Sequence, residues 1–285
     1  MGGMTPFTDR TGRFSALKTL MLVALAAPAL WLAYRAFSHD LGALPVKEAL
    51  HVLGLWAVRL LLVTLALTPA QRLLNVPRLA LVRRMTGVAA FAYAAGHFLL
   101  YIVMEKFDLV TVTSEIALRI YLTIGFAALL GLAALAATST DAMVRRLGTR
   151  WKQLHKLIYV IAPLAVLHFF LQSKIDVSEA VLMAGLFILL MSYRVVIGRK
   201  FPVSPVVLST AAVVAAGATA LIEFAWYGLA TGVDPWAVAK ANVMISFGLR
   251  PAPLVLLTGI AVTFIVSLRR RFAAPRSALR ERPAC

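Results

Sequence analysis

The stretch Arg84-Met-Thr-Gly-Val-Ala-Ala-Phe-Ala-Tyr-Ala-Ala-Gly-His97-Phe-Leu-Leu-Tyr-Ile-Val-Met104 decides the class of this protein. After Arg84 it holds no charged residue until Glu105. That is about the 20 apolar residues a helix needs to cross the hydrocarbon core of a bilayer. His97 lies well inside it. A second such stretch, Leu154 to Leu171, carries His155 at its start and His168 towards its end.

Working outward, the same pattern recurs along the chain. Apolar residues make up 61% of it and charged residues 14%, and the mean hydropathy is +0.86. A soluble protein of 285 residues carries far more charge. Eight spans are expected: Lys18–Phe37, Leu50–Thr68, Met85–Met104, Arg119–Ala137, Leu154–Leu171, Glu179–Ile197, Pro205–Ala230 and Pro251–Leu268. The expected fold is an all-α integral membrane protein with no soluble domain between spans. The first span, from about Leu17, reads as a retained signal anchor rather than a cleaved leader. The single cysteine, Cys285, excludes an internal disulfide and a Cys-ligated cluster.

The net charge of +17 points to membrane topology rather than to nucleic acid, because the basic residues sit between the apolar spans. With the N-terminus taken as cytoplasmic, 21 Lys and Arg fall on the inner side, 7 on the outer side, and Arg59 within a span. This asymmetry puts both termini in the cytoplasm. It suits a multi-pass protein of a bacterial inner membrane.

Depth singles out the histidines. Counted from the basic inner ends at about 1.5 Å per residue, His97 and His168 both lie in the outer half of the membrane. A single buried histidine is more often a core residue bonded to a carbonyl or serine. Two at one level on two spans can clamp an iron, and ionisable residues at membrane depth are functional by default. A b-type haem needs such a pair of neutral imidazoles, so the chain reads as a membrane cytochrome with His97 and His168 as metal ligands. Gly96 is expected to let a flat macrocycle approach, and Tyr93 and Tyr101 to flank His97 on one face. His155, 13 residues before His168, would stand about 140° away on an ideal helix unless Pro163 alters the winding. The position 13 before His97 is Arg84, so a four-histidine, two-haem set is incomplete. His155 with Arg83, Arg84 and Arg150 forms instead an inner cationic site for a haem propionate or a flavin phosphate, or plain positive-inside charge. Arg59, mid-span, is a candidate partner for a haem propionate. His39 and His51 read as interfacial. Glu223, beside Trp226 and Tyr227, reads as part of an aromatic belt with no chemistry.

Two longer stretches carry a family resemblance. Thr138-Ser-Thr-Asp-Ala-Met-Val-Arg-Arg-Leu-Gly-Thr-Arg-Trp-Lys-Gln-Leu-His155-Lys-Leu-Ile-Tyr159 with Ala165-Val-Leu-His168, and Arg83 through His97, resemble the MsrQ/YedZ family; Trp56-Ala-Val-Arg59 leading to Leu67-Thr-Pro69 is similar as well. The resemblance covers roughly Lys18 to Lys200. It implies a six-helix, ferric-reductase-like haem bundle at 18–200, preceded by a cytoplasmic segment at 1–17 and followed by two extra spans at 201–268 and a basic tail at 269–285. It further implies haem b and FMN as cofactors, with His97 and His168 as haem ligands. His155 would be a second haem contact or part of the inner site, and Arg83 and Arg84 would hold the flavin. The implied role is an electron-transfer subunit, itself without substrate catalysis. It would pass electrons from the quinone pool or a cytosolic flavin reductase to a periplasmic molybdopterin methionine-sulfoxide reductase. Asp141 departs from the asparagine expected there, and the last two spans extend past the family's short form. The rival readings are a cytochrome b-type ferric or metal reductase, which differs in its acceptor, and a transporter without haem. No inverted repeat of broken spans supports the transporter.

Overall fold

The structure, a computed structural model, describes Phe7 and residues 14–173, 176–244 and 248–273. The basic residues Arg10, Arg13, Lys174, Arg276, Arg280 and Arg282, and the terminal Cys285, lie outside the described residues. No strand forms among the described residues, and eight helices there are long and apolar enough to cross a membrane. The chain is an all-α, multi-pass membrane protein, as expected.

In order, the helices are α1 (Ala16–Phe37), α2 (Pro45–Leu73), α3 (Ala80–Met104), α4 (Leu109–Leu118), α5 (Ile120–Ala137), α6 (Asp141–Leu147), α7 (Thr149–Leu154), α8 (Ile158–Gln172), α9 (Ser178–Gly198), α10 (Pro205–Ala230), α11 (Pro235–Ala241) and α12 (Pro251–Ala273). Backbone polar groups cannot be left open in lipid, which is why every span is helical. Their starts follow ordinary capping chemistry. Ser204 precedes Pro205 and accepts from the Val207 amide at 3.3 Å; Asp234 precedes Pro235 and accepts from the Trp236 amide at 3.0 Å. Asp108 caps α4 by accepting from the Val110 and Thr111 amides, each at 3.1 Å. The hydroxyl and amide of Thr111 hold the Asp108 carboxyl below the usual carboxylate range. Four threonine hydroxyls within the spans are satisfied inside their own helix: Thr64, Thr86, Thr219 and Thr263 each donate to the carbonyl four residues back.

The short helices α4, α6, α7 and α11 lie in segments read as loops, where apolar periodicity is too brief to register. The fifth span differs in a more telling way. It begins at Thr149, and a 3-10 turn at His155–Leu157 separates α7 from α8. The change of winding therefore falls at His155 itself, while Pro163 sits inside α8.

By internal packing the chain forms two compact units. One holds residues 1–68 and 78–174; the other holds 69–77 and 175–285. The sixth span, α9, packs with the two C-terminal spans in the second unit. α9, α10 and α12 share one core. Leu189, Leu208, Ala212, Ala215, Val255 and Val266 are almost wholly buried there, and Leu73 joins them. Small residues let these backbones come close. A Cβ on Gly185 would stand 2.2 Å from Thr219 Oγ1 and 2.7 Å from Val255 Cγ2, and one on Gly259 would meet Ala212.

This second unit also buries Glu223 completely. Its carboxylate pairs with the Arg250 guanidinium and accepts from Asn242 Nδ2 at 2.6 Å. The aromatic-belt reading of Glu223 is corrected: Trp226 and Tyr227 are its sequence neighbours, but its partners come from 19 and 27 residues away. A buried carboxylate needs such a partner to remain charged.

In the first unit α1 is tied to α3 by Tyr93. The phenol donates to the Leu25 carbonyl at 2.8 Å and accepts from the Ala29 amide at 3.0 Å, so it is inserted into a helical hydrogen bond next to Pro28. Tyr93 therefore faces α1, and the expectation that it flanks His97 is corrected.

The close approach at Gly185 gives a direct test. Gly185→Ala is expected to destabilise the protein by about 1–3 kcal/mol through overpacking. Gly217→Ala, where a Cβ meets nothing within 4 Å, is expected to be neutral or slightly stabilising. Thermal unfolding of both in one detergent checks this.

Candidate functional site

His97 on α3 and His168 on α8 come together. Their ring centres are 6.3 Å apart with the ring planes at 78°. Each imidazole is oriented by the same bond. His97 Nδ1 is 2.8 Å from the Leu50 carbonyl of α2, and His168 Nδ1 is 2.8 Å from the Tyr121 carbonyl of α5. A carbonyl only accepts, so Nδ1 carries the proton in both rings. Nε2 is left with its lone pair, the state a metal ligand requires. Both rings are partly exposed in the protein alone, as the walls of an open seam would be.

Glycine makes each bond possible. One turn beyond each acceptor stands Gly54 or Gly125. A Cβ on Gly54 would lie 2.8 Å from His97 Nδ1, and one on Gly125 would lie 2.6 Å from His168 Nδ1. The imidazoles rest against bare backbone, and no other residue type leaves the room. Gly96, the glycine singled out in the sequence, does something else: a Cβ there would meet Leu53 Cδ1 at 3.1 Å. Gly96 packs α3 on α2.

The two half-sites repeat. Leu50, Gly54 and His97 correspond to Tyr121, Gly125 and His168, each 71 positions later. Sequence reading missed both glycines and both carbonyl acceptors. The signal that could have found them is this equal offset, which also pairs Arg84 with His155.

The geometry suits a metal between the rings. An imidazole–metal bond is about 2.0–2.1 Å and a ring nitrogen lies about 1.2 Å from its ring centre, so two imidazoles sharing one metal would set their centres up to about 6.4 Å apart. The observed separation agrees. Among the described residues, no cluster of three or more His, Cys, Asp or Glu could hold a metal ion. Two imidazole nitrogens are too few to hold a bare cation, but would suffice for a macrocycle-bound iron.

The inner residues sit apart from this pair. His155, in the 3-10 turn before α8, stacks on Trp151 with ring centres 3.8 Å apart; its Nδ1 is 3.0 Å from the Trp151 carbonyl and its Nε2 is 3.4 Å from Ser139 Oγ. Trp151 is itself fixed by donating to the Thr138 carbonyl at 2.9 Å. Arg83 donates to Thr68 Oγ1 at 3.1 Å, and Arg84 pairs with Asp141 at 2.5 Å. The Asp141 that departs from the expected asparagine thus neutralises one of the inner cations. Arg59 lies over the Trp56 ring, 5.2 Å from its centre.

Comparison with known proteins fits this arrangement. A family model described as "Ferric reductase like transmembrane component" matches residues 53–166, which includes Gly54, His97, Gly125 and His155. A protein of Caulobacter vibrioides is 42% identical over 183 residues, covering 64% of this chain and 87% of its own. One of Xanthomonas axonopodis is 44% identical over 187 residues, covering 63% and 86%, and one of Rhodospirillum rubrum is 42% identical over 197 residues, covering 68% and 92%. All three are named protein-methionine-sulfoxide reductase heme-binding subunit MsrQ. The chain belongs to the MsrQ family. No solved structure gives a significant match. About a third of this chain lies outside these alignments.

Proposed function

We propose that this chain is the haem-b-binding, electron-transfer subunit of a protein-methionine-sulfoxide reductase system. The observation that carries the reading is the His97–His168 pair at 6.3 Å, with each Nδ1 directed to a backbone carbonyl. In this reading His97 and His168 would hold the haem iron through Nε2, and the two carbonyls hold the rings in register and raise their basicity. Bound haem supplies reversible one-electron chemistry. The protein's own part is to keep the ligands preoriented within apolar helices, so that little has to move when the charge changes. No side chain here breaks a substrate bond.

The finer assignments are part of the same proposal. The membrane is a bacterial inner membrane, and the excess of basic residues on one side puts both termini in the cytoplasm. Electrons enter from quinol or from a cytosolic flavin reductase and leave at the periplasmic face to a molybdopterin-dependent methionine-sulfoxide reductase. Reduction of one sulfoxide takes two electrons and two protons and releases water, so two successive one-electron passages serve each turnover of the partner. FMN would be held at the inner level by Arg83 and Arg84, with His155 contributing, and Arg59 would serve a haem propionate. We place the division of labour at residues 18–200 for the cofactors, with 201–268 as the additional spans.

The decisive experiment is the dithionite-reduced minus oxidised spectrum of the purified protein. The wild type is expected to show a b-type signal. His97→Ala and His168→Ala are each expected to abolish the signal of this pair. Gly125→Ala and Gly54→Ala should cut haem occupancy several-fold by pushing the rings off their carbonyls. A folded, haem-supplied wild type without colour would sink the cytochrome reading and favour a transporter. A coloured protein that reduces a ferric chelate but no sulfoxide-reducing partner would favour a metal reductase.

Asp141 gives a second test. If the inner site holds FMN, Asp141→Asn frees Arg84 for the phosphate. The pair is partly exposed, so the gain is limited to about 1 kcal/mol, or about fivefold tighter binding. Titration of apoprotein with FMN, followed by flavin fluorescence, measures it. Unchanged or weaker binding would remove Arg84 from the flavin site.

A further inference from the structure

The two imidazole–carbonyl bonds match, but the helices that supply the carbonyls are not held alike. Two residues before each acceptor stands a charged side chain: Glu48 before Leu50, and Arg119 before Tyr121. Glu48 faces Arg35 of α1 at 3.9 Å, and the two side chains are 45% and 28% exposed. Such an open, long pair contributes little. Arg119 belongs to a tighter set. Its Nη2 meets Glu115 Oε1 at 2.6 Å, and its Nη1 donates to the Tyr121 hydroxyl at 3.2 Å. The other Glu115 oxygen accepts from the Tyr101 hydroxyl at 2.7 Å. Tyr101 lies one turn beyond His97 on α3, and Tyr121 is the residue whose carbonyl meets His168. A chain of hydrogen bonds therefore runs from the His97 helix to the side chain of Tyr121, the residue whose backbone carbonyl faces His168.

This link falls at a break in the backbone. Arg119 ends α4 and precedes α5, with extended φ and ψ of −105° and 104°. The first turn of α5, which holds the Tyr121 carbonyl, has no continuous helix before it. Side chains secure it instead, including Thr123, whose hydroxyl crosses the break to the Ile116 carbonyl at 2.5 Å. Glu115 is the hub, because it bonds both Tyr101 and Arg119. Charge-assisted bonds to a half-buried carboxylate are among the stronger ones available.

We propose that Glu115 is a positioning residue for the His97–His168 site: it fixes the first turn of α5 against α3 and so tunes His168 through the Tyr121 carbonyl, with no counterpart on the His97 side. The proposal rests on the reading of the two histidines as haem ligands. Glu115→Gln keeps hydrogen-bonding capacity but leaves the positive charge of Arg119 unbalanced near the site, which favours the reduced, less positive centre. Glu115→Ala removes the tie as well, weakening the polarisation of His168 in the same direction.

The test is a redox titration and a low-spin ferric electron paramagnetic resonance spectrum of the haem-loaded full-length protein in nanodiscs. Wild type is compared with Glu115→Gln, Glu115→Ala, Tyr101→Phe and, as control, Glu48→Gln. Both Glu115 variants are expected to lower the oxidised-to-reduced ratio at fixed potential about threefold, an upward shift of about 28 mV at about 59 mV per tenfold for one electron. The resonance spectrum should change in Glu115→Ala and Tyr101→Phe and be largely restored in Glu115→Gln, while Glu48→Gln moves neither readout. Should Glu115→Ala fail to fold, Glu115→Gln and Tyr101→Phe still decide. The proposal is overturned if haem-loaded Glu115 variants keep the wild-type potential and spectrum, or if Glu48→Gln shifts them as much. A wild type whose haem survives replacement of His97 and His168 refutes the ligand reading itself, and the proposal with it; that outcome is distinct because it appears before any Glu115 variant is compared.

Discussion

Two hydrogen bonds of 2.8 Å, from His97 and His168 to the carbonyls of Leu50 and Tyr121, govern the design of the first unit. Each requires an imidazole to lie against a neighbouring helix closer than any side chain permits. That constraint explains Gly54 and Gly125, and it fixes which faces of α2 and α5 turn towards α3 and α8. A carbonyl in a helix already accepts one bond from its own turn and has a second lone pair to offer. The site therefore uses acceptors that every span possesses, and needs glycine rather than a polar residue to expose them. This solution is economical in lipid, where each added polar side chain carries a desolvation cost.

The repeat at an interval of 71 residues gives the site its pseudo-symmetry, and the departures from it give the two halves different properties. At the inner level the equivalent positions are Arg84 and His155. One is paired with Asp141 and the other is stacked on Trp151. At the outer level Glu48 and Arg119 have opposite charges and unequal partners. Unequal charge around two otherwise matched histidines makes their electrostatic surroundings differ.

The second unit follows another rule. The packing of α9, α10 and α12 rests on close backbone contact at Gly185 and Gly259 and on the buried Glu223–Arg250 pair. Neither feature shows in hydropathy, which sees only that all three spans are apolar. The same blindness explains why the boundary between packing units fell before α9 rather than after it. Composition cannot say which apolar face meets which.

The sequence alone determined what depends on local chemistry: eight spans, an all-helical membrane fold, the charge asymmetry across the bilayer, and two histidines at matching depth. These follow from chain length per residue and from the cost of burying charge, and need no knowledge of neighbours. Only the tertiary structure decided which atoms the histidines use, that Gly54 and Gly125 rather than Gly96 stand beside them, that Tyr93 turns away to α1, and that Glu223 is sealed in an ion pair. Those outcomes depend on contacts between residues 19 to 68 positions apart. Helical periodicity tells which side chains share a face, but the partner of that face is chosen by packing the whole unit at once.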